Sequence, residues 1–187
     1  MDYLDAVVTV VDLSSSSGYQ VGRTAIQKLI YFALQKGVVE DRDTYFPHYY
    51  GPYSREVARA LSTAVSIDFV EESAEELPEY EGRRYIYTLT DSGKALRSII
   101  EKEQTEDLTE LRKIVSICKK TTGLNMQIMA CAAKVHYLLK QKNGRMTTDE
   151  IKHTAQNLGW KLASEDIDKA ADLLVELDMA KRVNRES

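Results

Sequence analysis

The 187-residue chain carries 25 basic and 29 acidic side chains, a net charge of −4, with 43% hydrophobic and 29% charged residues. This composition belongs to a globular protein of one or two domains; it excludes a disordered chain and a globally cationic nucleic-acid binder, while leaving room for a local basic face. No apolar run approaches the ~20 residues needed to cross a bilayer, so no membrane partner is expected. The start Met-Asp-Tyr-Leu-Asp lacks the basic opening of a signal peptide, so the expected location is cytoplasmic.

Leu4, Val7, Val8 and Val11 recur at helical spacing behind Asp2, which predicts a short first helix to Leu13 capped by that aspartate. Ser14 to Gly18 then break the chain, without the second glycine, the lysine or the strand context of a phosphate-binding loop. The clearest helix follows in TAIQKLIYFALQKG. Thr24 with Gln27 reads as a capping box, Ile26, Leu29, Ile30, Ala33 and Leu34 as one apolar stripe, and Gly37 as a left-handed stop.

The stretch YFPHYYGPYS, Tyr45 to Ser54, holds four tyrosines, a phenylalanine and a histidine in ten residues. Tyr49 and Tyr50 suit a platform on which bases stack, worth ~1–3 kcal/mol each. The favoured reading is structural: a short strand, confined to an edge by Pro47 and turned by Gly51-Pro52 into a helix that Ser54 caps. That third helix, REVARALSTAVS, has the stripe Val57, Ala58, Leu61 and Val65. IDFVEE and YIYTLT alternate as strands on either side of a polar loop, and DSGKALRSIIEK restarts a helix.

A connecting helix, Asp107 to Lys120, leads to a break at residues 121–123. An Ala- and Met-rich helix runs from Leu124 to Lys142 and ends at Asn143-Gly144. Thr147 with Glu150 forms a second capping box, Gly159 ends the helix it opens, and Ser164 caps the last one. The expected fold is mainly α (α+β). A winged helix-turn-helix covers residues 1–105, with the loop from about Glu71 to Arg84 as its wing; a connecting helix and a C-terminal helical, helix-turn-helix-like module cover 106–187.

QKLIYF (Gln27 to Phe32) together with YGPYS (Tyr50 to Ser54) resembles predicted winged-helix transcriptional regulators of archaea and bacteria, related to the Panacea domain of antitoxin and chaperone-addiction contexts. The resemblance spans roughly residues 20–100 and extends more loosely to AAKVHYLL and MTTDEIKHTAQNLGW. It implies DNA binding or protein neutralisation and no catalysis. The acidic wing departs from the usual wing that touches DNA.

The residues themselves agree that this is not an enzyme. There is no nucleophile elbow, no paired His and Glu on one helix and no glycine-rich phosphate loop, so no catalytic residue and no cofactor is expected. His48, His136 and His153 are scattered and no Cys-x-x-Cys occurs, so no metal site is expected; Cys118 and Cys131 read as small buried hydrophobes. For DNA, Arg55 and Arg59 lie four apart on the third helix, opposite Val57, Leu61 and Val65, where arginine can grip guanine bidentately. Arg23 and Lys28 would flank phosphates, and Arg83 and Arg84 close the wing. Tyr49, Tyr50 and Tyr53 form a candidate aromatic surface. Against DNA stand six acidic residues and no basic one between Glu71 and Glu81. The first expectation is a homodimeric DNA-binding regulator, paired through an apolar helix within 94–120 or 124–142. The alternative is a protein-interaction module, antitoxin-like or adaptor, that keeps the fold without touching DNA. A basic face over Arg23, Lys28, Arg55 and Arg59 would favour DNA; an acidic face with exposed aromatics would favour a protein partner.

Overall fold

The structure is a computed structural model that describes residues 1–16, 18–40, 45–76, 83–142 and 144–182. These form a mainly helical α+β architecture with one two-stranded antiparallel sheet. The order is α1 (Tyr3–Ser15), α2 (Arg23–Gln35), α3 (Arg55–Ser66), β1 (Val70–Glu76), β2 (Arg83–Leu89), α4 (Asp91–Glu103), α5 (Thr105–Thr122), α6 (Met126–Gln141), α7 (Thr148–Asn157) and α8 (Ser164–Glu176). The chain divides into two compact units. One comprises Met1–Thr44 with Ser54–Val115; the other comprises Tyr45–Tyr53 with Ser116–Ser187. The division therefore falls inside α5, and the aromatic stretch belongs to the second unit. Among the described residues, no helix is long and apolar enough to cross a membrane.

In the first unit α1 starts as expected, with the Asp5 amide donating 2.9 Å to the Asp2 carboxylate. α2 departs from the expected one-sided stripe. Every position from Ala25 to Ala33 is buried, including Gln27 and Lys28. A helix apolar on all sides is a central helix, and α2 fills that place. The expected Thr24–Gln27 capping box is absent: Gly22 is the N-cap, without a side-chain bond. Gly37 does end the helix, at φ +77°, while the Val38 amide donates 3.0 Å to the Ala33 carbonyl.

β1 and β2 pair antiparallel, Val70 opposite Leu89 through Glu76 opposite Arg83. β1 thus runs four residues further than the expected strand end at Glu72, into the stretch expected as loop; the rest of that loop, 77–82, lies outside the described residues. On the other side of β2, the Tyr87 amide donates 3.1 Å to the Val21 carbonyl in an isolated antiparallel bridge. β2 leads into α4 through Thr90, whose hydroxyl caps the Gly93 amide at 3.0 Å. Gly93 is required here, because a Cβ would lie 2.0 Å from the Phe69 carbonyl oxygen.

The second unit packs α6 against α7 and α8 around Met129, Ala132, Ala133, Leu138, Trp160 and Leu173, all buried. The Thr147–Glu150 capping box is present in both directions and opens α7. α6 is capped by Asn125, which accepts from the Ile128 amide at 3.1 Å. Ser164 does not cap α8: it is the first helical residue, behind Ala163, and no side chain caps that end. Its hydroxyl instead accepts a hydrogen bond from Lys152.

Candidate functional site

The six basic residues expected at a DNA face are not presented as one. Lys28 is 1% exposed, enclosed with the rest of α2, and cannot reach a phosphate; that part of the expectation is corrected. Arg23 opens α2 and is held by the hairpin. Its Nε donates 2.6 Å to the Tyr87 hydroxyl, its Nη2 donates 2.9 Å to Glu72 Oε2, and its guanidinium lies 3.9 Å from the Tyr85 ring centroid. Tyr87 in turn donates its hydroxyl proton to Glu72. Burial, and then the bond to Glu72, push the Tyr87 phenol up to about 12. Glu72 is pulled upward by burial, but the bonds from Tyr87 and Arg23 outweigh this and leave it below the ordinary glutamate value. The bond to Glu72, and then the bond to Tyr87, raise Arg23 further, so all three shifts favour the Arg⁺–Glu⁻ form of the cluster.

Arg55 and Arg59 stand on the exposed side of α3, as their spacing implies, with Val57 and Leu61 buried behind them. Arg59 is ion-paired with Glu56 on the same helix. Arg83 and Arg84 are exposed but sit directly opposite Glu76 and Glu75 in the sheet register. The described hairpin strands therefore carry Glu71, Glu72, Glu75 and Glu76 against Arg83 and Arg84, a net acidic surface.

The motif segments QKLIYF and YGPYS are joined by one side chain. Gln27 Nε2 donates 2.9 Å to the Ser54 carbonyl, and the Ser54 amide donates 3.1 Å back to Gln27 Oε1. A buried primary amide thus stands in for a strand neighbour, and leaves the Ser54 hydroxyl to accept from the Val57 amide at 3.1 Å and cap α3. Gln27 is a positioning residue for the start of α3, a role the local capping pattern concealed.

The aromatic stretch is not the expected edge strand. It is a closed loop: Phe46 and Tyr53 exchange both backbone bonds, at 3.1 and 3.0 Å, and the Gly51 amide donates 2.8 Å to the His48 carbonyl. Among the described residues no further strand pairs with it, and other residues of its own unit hold it instead. Trp160 Nε1 donates 2.7 Å to the His48 carbonyl. Gly51, at φ +94°, lies so close to α6 that a Cβ would be 3.0 Å from Lys134 Cγ and 3.3 Å from the Ala130 carbonyl oxygen. The His48 and Tyr53 rings lie 5.1 Å apart, and Tyr49 and Tyr50 meet edge to face at 4.9 Å. Tyr53 is half-buried, but Tyr49 and Tyr50 are 73% and 47% exposed. The candidate aromatic surface therefore consists of Tyr49 and Tyr50, held outward by a loop whose floor is Trp160.

Other chemistry is sparse. Burial pushes the Cys118 and Cys131 thiols up to about 12, with Asp166 adding to the effect at Cys131, so neither is a reactive thiolate. Among the described residues, no three His, Cys, Asp or Glu side chains are grouped to hold a metal ion. A depression of about 800 Å³ in the second unit is lined by Arg145, Lys181 and Arg182 and equally by Asp149, Glu150 and Asp168, so its formal charges sum to zero.

No protein-family model matches the chain. It is similar to the uncharacterized protein YwgA of Bacillus subtilis (strain 168), with 36% identity over 81 residues, 43% of this chain and 47% of that protein. The chain thus spans about half the length of the curated relative it matches.

Proposed function

We propose that this protein is a protein-interaction module built on a winged helix, of the antitoxin or adaptor kind implied by the Panacea-related resemblance. The order α1, Val21 bridge, α2, α3, β1, β2, α4 supports the winged helix: β2 lies between β1 and Val21, and α3 occupies the recognition position. The observation that carries the functional reading is the fate of the positive charge. Lys28 is buried, Arg23 and Arg59 are engaged by Glu72 and Glu56, and Arg83 and Arg84 face glutamates. A phosphate backbone needs several uncommitted cations. By contrast, Tyr49 and Tyr50 are held out to solvent on a braced loop, and exposed aromatic anchors are the residues that dominate protein interfaces.

DNA binding by a homodimer is the second reading, favoured by one observation: Arg55 and Arg59 are exposed at the start of α3. Two measurements separate the readings. Anisotropy with random duplex DNA at ~20 mM salt, where phosphate contacts are strongest, should show no binding. Cross-linking in the native host should yield a partner retained by Arg55→Ala/Arg59→Ala and lost by Tyr49→Ala/Tyr50→Ala. Salt-dependent DNA binding abolished by the arginine variant would overturn the protein-binding reading.

A further inference from the structure

We propose that the outer edge of β1 accepts an extended, Lys/Arg-rich segment of a partner protein as an added strand. This rests on the protein-binding reading above and gives the partner a chemistry. The sheet has an asymmetry. β2 is paired on both sides, by β1 and by Val21, whereas β1 is paired only by β2 among the described residues.

The direction of the unpaired groups follows from one hydrogen bond. Tyr87 gives its amide to Val21, away from β1, although Glu72 is its partner in register. In an antiparallel pair, residues that exchange bonds alternate with residues that do not. Glu71, Ser73 and Glu75 are then the exchanging positions, and the amides and carbonyls of Glu72, Ala74 and Glu76 point outward. All six residues from Glu71 to Glu76 are exposed, so nothing described covers this edge. β1 is seven residues long and contains no proline; its four glutamates are charges of the kind that blunt an edge, and they do so against neutral or acidic strands but not against a basic one.

Its side chains select the occupant. Glu71 and Glu75 line one face of the strand, Glu72 and Glu76 the other. A strand added here would place its side chains ~5 Å from these glutamates. A second copy of β1 would oppose glutamate to glutamate, which disfavours self-pairing. Glu72 is held by Arg23, and Glu75 and Glu76 lie opposite Arg84 and Arg83, so four glutamates against three arginines leave a net negative edge, which a basic strand would meet while the backbone ladder supplies the bonds, the arrangement of β-augmentation.

The probe is a fluorescent peptide of about seven residues, alternating Lys and Val, titrated against the full chain by anisotropy at ~50 mM salt. The expected results are saturable binding, no binding of the Glu-Val counterpart, and about tenfold weaker binding after Ala74→Pro. That substitution removes an outward amide, leaves every charge in place and is tolerated on an edge. Because Ala74→Pro could disturb folding, a second probe leaves the protein unchanged: the Lys-Val peptide with alternate amides N-methylated should lose binding to the same extent. Failure of the Lys-Val peptide to bind, or equal binding by the N-methylated peptide and by Ala74→Pro, would overturn strand addition. Loss of the cross-linked partner in Tyr49→Ala/Tyr50→Ala alongside such a failure would sink this inference and leave the protein-binding reading standing.

Discussion

Replacing Gln27 by methionine isolates the bond that joins α2 to the start of α3. Methionine keeps the length and nearly the volume of glutamine, so no large cavity opens. Both polar atoms are lost, however. The Ser54 carbonyl keeps the Ala58 amide at 3.3 Å, but the Ser54 amide loses its Gln27 acceptor at a residue that is 0% exposed, beside a position that is 5% exposed, so water cannot replace that bond without opening the fold. A backbone amide stranded in this way costs ~1–3 kcal/mol. With a urea slope of ~2 kcal/mol/M, the midpoint should fall by ~0.5–1.5 M. Trp160 is the only tryptophan and lies in the second unit, so its fluorescence is the wrong probe. Amide exchange in α2 and α3 reports the first unit. Ser54→Ala is the companion variant: it removes only the cap and should cost ~1 kcal/mol. A shift below ~0.5 kcal/mol for Gln27→Met, the size of an ordinary surface change, would refute the bridging role.

Gly93→Ala should destabilise by ~1–3 kcal/mol or more despite the better helix propensity of alanine, because the new Cβ meets the Phe69 backbone at 2.0 Å; a raised melting temperature would contradict this. Burial, then the nearby Lys140 charge, hold the His136 imidazole down at about 4, from an ordinary 6.5. The unfolded chain therefore takes up a proton that the folded chain refuses. Stability of the second unit should fall as pH drops from 6.5 to about 4, by up to about 3 kcal/mol, and level off below; Trp160 fluorescence in urea at several pH values measures it, and His136→Leu should flatten the profile. Glu72 acts in a lower window: its contribution is present above the ordinary glutamate value of 4.5 and is lost as pH falls through its lowered folded value. Protection of the β1 amides, taken relative to their intrinsic exchange rate at each pH, should fall there, and Glu72→Gln should remove that acid sensitivity.

Local signals were legible in the sequence at most places where the partner lay within one turn, Ser164, drawn away by Lys152, being an exception. Asp2, Ser54, Gly37 and the Thr147–Glu150 box all do what their spacing implies, because each bond closes within about five residues. The readings that failed depended on distant partners. Gln27 shows the i, i+3 spacing of a cap, yet bonds 27 residues away. Lys28 looks like a surface charge until α2 proves to be buried on every side. The aromatics of residues 45–50 carry strand propensity, which needs a neighbouring strand to act on; Trp160 captured the segment as a loop instead. For the site, the arginines on α3 were correctly placed by periodicity, but their pairing was not visible, since register and rotamer decide it.

The His48–Trp160 bond spans 112 residues. On a ribosome adding ~5–20 residues per second, the aromatic loop emerges ~6–20 s before the tryptophan that seats it. Throughout that interval Phe46, Tyr49, Tyr50 and Tyr53 travel on a nascent chain with no floor beneath them. The loop is therefore among the last parts of the molecule to mature. A nascent chain stalled before Trp160 would offer these rings to any chaperone able to grip an aromatic segment.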